Sequence, residues 1–163
     1  MSNQSKAGMM YRNINKDNTY LFLSDINSIL VSGDDTNGEF CVVHCSAKKD
    51  DGPPLHLHEK EDESFYVLDG EIEMTLGTET ISVKTGEYVF APRGIPHTFK
   101  VKSDTVKFLV TAYPAGFDSF VKELGVPYVE GMEAHIEPPT PEAMQKLLEV
   151  STKYRISYPG LLL

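Results

Sequence analysis

His56 and His58 stand one residue apart, and Glu63 follows five positions later, in PPLHLHEKEDESFYVLDGE (residues 53–71). Imidazole nitrogens and carboxylate oxygens are donors for divalent transition metals, and a carboxylate can also take a proton from a substrate. On an extended chain His56 and His58 point to the same face. Residues 59–62 read as a polar loop and Glu63 as the start of the next strand. In such a hairpin His58 and Glu63 flank the loop as a cross-strand pair, with Cβ atoms ~4.5–5.5 Å apart. Two imidazoles and one carboxylate then converge, leaving open positions as in non-haem iron(II) sites. Glu59, Glu61 and Asp62 read as a solvated loop tip, although Glu61 shares the parity of Glu63 and a shifted turn would exchange the two. His97 begins a strand after a Pro- and Gly-rich turn in GEYVFAPRGIPHTF. If that strand pairs into the same barrel, it completes a set of three His and one Glu.

The elements that must position these groups are mostly strands. Short runs with alternating polarity recur: TYLFLSD, INSILVSG, FCVVHCSA, ESFYVLDG, EIEMTLG, TETISVK, EYVFAP, HTFKVKS and VKFLVTAY. Turn signals such as Asp69-Gly70, Lys84-Thr85-Gly86 and Ser103-Asp104 separate them. Turns at roughly 8–12-residue spacing favour an all-β sandwich or barrel. After Tyr113 the period changes. Phe117, Phe120, Val121 and Leu124 follow helical spacing, and Gly125 and Pro127 stop the helix. In a second helix Thr140 is the N-cap, Pro141 the first helical residue, and Met144, Leu147, Leu148 and Ser151 one face. The expected organisation is a polar, loose segment 1–18 and one domain, 19–163, made of a β-barrel over about 19–113 and a helical extension over 114–163.

Composition narrows the function. The 163 residues fit one domain. The net charge is −9, and the only arginines are the scattered Arg12, Arg93 and Arg155. Nucleic acid and anionic membranes ask for clustered cations, so neither is an expected partner. No apolar run reaches the ~20 residues of a membrane span, and the first ten residues carry no signal-peptide pattern. Cys41 and Cys45 share one strand face and read as buried, reduced thiols. His44 points away from both, so the three do not form a metal cluster. A cytoplasmic location is expected. His135, in an acidic loop, reads as solvated.

Two spacings carry a resemblance. Gly52-Pro-Pro-Leu-His56-x-His58-x4-Glu63-x6-Gly70 resembles the first motif of the cupin superfamily, and Gly86-x5-Pro92-x-Gly94-x2-His97 the second. The flanking stretches YLFLSDINSILVSGDDTNGEF and YPAGFDSFVKELGVP look like single-domain, quercetin-2,3-dioxygenase-like cupins. Two positions depart from the pattern: Asp50 stands where a glycine is usual, and Val101 where an Asn is common. The resemblance implies a double-stranded β-helix, or jelly roll, here with two C-terminal α-helices. It implies one divalent metal (Fe, Mn, Ni, Co, Cu or Zn) bound by His56, His58, Glu63 and His97. It also implies a second role for Glu63, as the base that deprotonates a substrate hydroxyl.

On that reading the chain is a dioxygenase acting on a small, flat substrate. Phe65, Val67, Met74, Phe99, Tyr113 and Phe117 are candidates for the pocket, with Arg93 at its rim. At helical spacing Phe117 and Phe120 also suit core packing. The alternatives are an isomerase or lyase that uses the metal without O2, or a barrel that only binds a small molecule. The fold alone does not choose among them. A homodimer is expected, because relatives commonly pair and a barrel edge such as the N-terminal strand needs cover.

Overall fold

A computed structural model describes residues 8–134 and 138–161. His135 lies outside the described residues.

Among the described residues there are twelve strands and two α-helices. The strands are β1 (Thr19–Phe22), β2 (Asp25–Val31), β3 (Cys41–Lys48), β4 (Leu57–His58), β5 (Asp62–Asp69), β6 (Glu71–Leu76), β7 (Glu79–Lys84), β8 (Tyr88–Ala91), β9 (His97–Val101), β10 (Thr105–Tyr113), β11 (Val126–Pro127) and β12 (Ile156–Ser157). The helices are α1 (Phe117–Leu124) and α2 (Pro141–Lys153). One sheet runs β11-β1-β2-β3-β10-β5-β8. Facing it are β7-β6-β9 and the pair β12-β4, joined by an antiparallel bridge between His56 and His97. All ladders are antiparallel. This is the jelly-roll arrangement, two sheets with their inner faces packed together.

Alternation decides which residues fill the space between the sheets. Val43, Cys45 and Ala47 of β3, Phe65 and Val67 of β5, Ile72 and Met74 of β6, Phe99 and Val101 of β9, and Val106, Phe108 and Val110 of β10 form one buried cluster. Cys41 and Cys45 are both buried free thiols. Burial raises the Cys41 thiol to about 12 and Cys45 well above its ordinary value, so neither is a thiolate at neutral pH.

The helices cover one end of the barrel. Phe120 and Val121 of α1, Leu147 of α2, Ile156 of β12 and Phe22 of β1 make a second cluster. Thr140 caps α2 by accepting from Ala143 N–H. The short strands β4, β11 and β12 have no alternation of their own; the sequence places a strand end at His56–His58, where β4 lies, and nothing at β11 or β12. Two of them matter. β11 pairs along β1, so the N-terminal strand is covered from within the chain, and the edge argument for a dimer fails. β12 pairs with β4, which ties the C-terminal segment to the His56–His58 stretch.

Asp50 adopts φ 69°, a left-handed backbone that favours glycine and that Asp tolerates better than most residues. The substitution therefore keeps the turn that leads into the His-bearing segment. Val101 is fully buried in the main cluster.

Candidate metal centre

The four residues arrive from three separate segments. His56 and His58 lie on the stretch that pairs with β9 and β12. His97 opens β9, and its N–H and C=O both bond His56 across the bridge, at 2.8 and 3.0 Å. Glu63 lies on β5 in the opposite sheet, between Ala112 of β10 and Ala91 of β8. The expected His58–Glu63 hairpin is therefore wrong. Residues 59–61 do not fold β5 back onto β4. They carry the chain from one sheet to the other, and the two side chains meet across the barrel interior. His58 Nε2 lies 3.3 Å from Glu63 Oε2, and His97 Nε2 lies 2.8 Å from the same oxygen. One donor atom from each of His56, His58, Glu63 and His97 falls within 4.8 Å of the others.

Hydrogen bonding tests whether a cation fits. His56 Nδ1 faces Pro54 O at 2.9 Å, His97 Nδ1 faces Ile95 O at 3.3 Å, and His58 Nδ1 faces Glu61 Oε2 at 2.9 Å. Each outward contact needs an Nδ1–H donor. A neutral ring then keeps a bare lone pair on Nε2, and for His58 and His97 that lone pair is directed at a carboxylate oxygen. Two acceptors cannot satisfy each other, so the arrangement calls for positive charge between them. A divalent metal supplies it, and outward Nδ1–H bonds are the usual way in which metal-binding imidazoles are oriented.

The electrostatics say the same. Burial holds the His56 imidazole down at about 3, helped by His97. Burial pushes His58 in the same direction, but Glu63 and Glu61 together outweigh it and raise the group. Burial works to raise Glu63, yet His58 and the close approach of His97 bring it down to about 2. The carboxylate is thus ionised and His56 neutral at neutral pH, which is the protonation that coordination requires.

Glu61 corrects the reading of the loop tip. It is only 5% exposed and makes the His58 contact. A Cβ on residue 116 would run into Glu61 Oε1, so Gly116 makes room for that carboxylate at the head of α1. The parity of Glu61 with Glu63 was the available signal. Its partner was not legible, because the i,i+3 contact depends on the crossing between sheets. Glu59 is an exposed partner of Arg155 (2.9 Å), and Asp62 receives Arg93 through N–H, Nε and a terminal nitrogen. That ion pair holds Arg93 on the outside of the barrel, away from the pocket rim. We expect Glu61→Gln to weaken metal binding by about 10–100-fold, and Gly116→Ala to act in the same direction. Competition against a chromophoric chelator measures both. Wild-type affinity in both variants would leave Glu61 without an orienting role.

A cavity of about 620 Å3, within the range of small-molecule sites, is lined by His56, His58 and Glu63 of the cluster. Phe65, Phe99 and Phe117 are on its wall, along with Phe22, Phe108 and Phe120. Val67, Met74 and Tyr113 are not. Val67 and Met74 have the expected inward parity but lie wholly in the core. Tyr113 is at the surface, 39% exposed, with its ring against Phe40. Val101 is likewise absent from the cavity wall, so it is not a polar neighbour of the cluster. Among the described residues, no Lys or Arg lines the cavity.

Residues 43–112 match the cupin domain family. This chain carries a cupin domain. The cupin is 30% identical over 120 residues to quercetin 2,3-dioxygenase of Bacillus subtilis, an alignment that takes in 74% of this chain and 34% of that enzyme. It thus spans about a third of that relative's length. Among solved structures it resembles the polyketide cyclase RemF of Streptomyces resistomycificus, with 28% identity, a TM-score of 0.55 and coverage of 64% of this chain and 80% of RemF. KdgF from Halomonas sp., at 18% identity, shares the fold with a TM-score of 0.58, over 65% of this cupin and 96% of KdgF. The cluster of three His and one Glu lies inside the matched region. No helix among the described residues is long and apolar enough to cross a membrane.

Proposed function

We propose that this cupin is a metal-dependent dioxygenase of a flat, enolic or phenolic substrate. The observation that carries the reading is the ionised Glu63, set among three Nδ1-anchored imidazoles beside an aromatic-walled cavity. The similarity to a quercetin 2,3-dioxygenase supports it.

His56, His58, His97 and Glu63 would hold a divalent metal, which supplies Lewis acidity toward a substrate oxygen and the electronic coupling that O2 chemistry requires. Glu63 takes the proton of the substrate hydroxyl at Oε1 or Oε2, leaving an electron-rich enolate. Glu61 and the carbonyls of Pro54 and Ile95 keep the three rings in one tautomer while this happens. The six Phe side chains exclude water and align a flat ring system by edge and face contacts. A wall without Lys or Arg suits neither a phosphosugar nor another polyanion.

One observation favours a second reading. The polyketide cyclase RemF is alike over most of its own length. A cavity of this size and lining would serve ring closure on an aromatic precursor equally, with Glu63 as the base and no O2 consumed.

Oxygen uptake separates the two. Protein reconstituted with Fe, Mn, Co or Ni is offered a flavonol in an oxygen electrode, with His97→Ala as the control for spontaneous oxidation. We expect uptake that tracks flavonol loss and needs both metal and His97. No uptake by protein shown to hold metal would exclude flavonol dioxygenation.

A further inference from the structure

The cavity has a second polar region that the metal cluster does not use. Asp25 and Asn27 of β2 share inward parity with Ile29, and Asp51 sits in the turn after β3. All three line the cavity, together with Ser24 and Cys45. Asn27 is 1% exposed, and neither Nδ2 nor Oδ1 has a hydrogen-bonding partner among the described residues. Asp51, also buried, accepts through Oδ1 from Ser24 Oγ and from Gly52 N–H, while no N–H or hydroxyl reaches its Oδ2. Cys45 is the register partner of Asn27 on the neighbouring strand.

A buried amide with four unmet hydrogen-bonding positions is costly, and an apolar residue would fill the same space on β2 more cheaply. Its orientation into a cavity gives those positions something to meet. Burial, and after it the neighbouring Asp51, raises Asp25 well above the usual carboxylate range. The region therefore offers an amide donor, an amide acceptor and the oxygens of two carboxyl groups. Among the described residues, no Lys or Arg faces it from the cavity wall.

We propose that Asp25, Asn27 and Asp51 form a substrate-positioning subsite that binds neutral hydroxyl groups of a ligand held in the cavity, and turns away anionic substituents. The inference rests on the reading of the cavity as a substrate site. Hydroxyls satisfy both the amide and the acid pair, because each can donate and accept. A carboxylate, sulfonate or phosphate would face the two carboxyl groups without a compensating cation.

Two probe sets separate this subsite from the flavonol reading. Resorcinol, phenol and 3-hydroxybenzoate are too small to need both regions, and ligand-observed NMR on the metal-loaded protein measures their Kd. The flavonols galangin and quercetin, which differ by two hydroxyls on one ring, are titrated in parallel. We expect resorcinol to bind at least 5-fold more tightly than phenol and 3-hydroxybenzoate to bind least. Asn27→Leu should reduce the resorcinol preference to below 2-fold and raise Tm, since it removes the unmet amide. Asn27→Val, smaller and a good strand former, carries the same comparison if Leu overfills the space. A resorcinol preference that survives both variants, or 3-hydroxybenzoate binding as tightly as resorcinol, overturns the subsite. Fragment discrimination that depends on Asn27 without any flavonol binding sustains the subsite and removes the flavonol instead.

Discussion

Glu63→Gln is expected to lower kcat by roughly 10²–10⁴-fold, the usual contribution of a positioned base, on whichever substrate the centre turns over. The exchange keeps the shape of a side chain that is 3% exposed. An amide oxygen can still approach a metal, but the amide cannot accept the substrate proton at neutral pH. It also brings an NH2 group toward His58 and His97, whose Nε2 atoms both converge on Glu63 Oε2. Some metal affinity is therefore lost as well. Metal content by mass spectrometry, measured on the same samples as the rate, separates the two effects. A variant that keeps one equivalent of metal and a wild-type rate would remove Glu63 as the base. Binding and catalysis are also separable by substrate: an enolate added in its ionised form needs no base, so its turnover should fall far less than that of the neutral enol.

Acid is the second large lever, and its sign follows from His56. In the metal-free protein this imidazole is depressed to about 3 by burial, with His97 adding to the effect, whereas in the unfolded chain it titrates near 6.5. Below pH ~6.5 the unfolded state binds a proton that the folded state refuses, so unfolding is favoured progressively as pH falls. The stabilisation from His56 is complete above ~6.5 and is lost as pH drops through about 3. At ~1.4 kcal/mol per pH unit, reduced for water that enters the cavity, the loss is on the order of 3 kcal/mol. Glu63 acts in the same direction at lower pH: its stabilisation is present above ~4.5 and goes as pH falls through about 2. His58 acts oppositely, since its raised value stabilises the folded state at low pH and is lost on going alkaline. Urea melts of metal-free protein from pH 7 to 4 should show falling stability, and His56→Gln should flatten that slope. A slope unchanged in His56→Gln would place the acid sensitivity elsewhere. In metal-loaded protein the midpoint should depend more steeply on pH, because the imidazoles lose the metal as they gain protons.

Alternation and helical spacing were enough to place the nine long strands and both helices, since each of those elements buries one face. Very short strands have no face to alternate, and β4, β11 and β12 exist through pairing with distant segments. This is why the dimer argument misjudged the edge of β1. The centre shows the same division. His56, His58, Glu63 and His97 were legible as residue types at telling intervals, but the local hairpin offered as their cause was not what brings them together. Two residues were passed over for a related reason. Glu61 looked like one of several acids on a loop, and only the crossing between sheets turns it under His58. Asn27 carried no signal of its own in the sequence, and its meaning depends on a cavity walled by residues from both ends of the chain.

The β4–β12 pairing has a consequence for how the protein is made. Ile156 is the register partner of His58, Ser157 that of Leu57, and Arg155 O accepts from Glu59 N–H. These contacts close a loop of roughly a hundred residues, whose entropic cost must be met before the pairing can help. High separation of this kind slows folding. The His-bearing segment thus stays incompletely held until the distal helix has docked. High-affinity coordination should accordingly be among the last properties that a refolding chain acquires, which makes metal capture a kinetic readout of completed assembly.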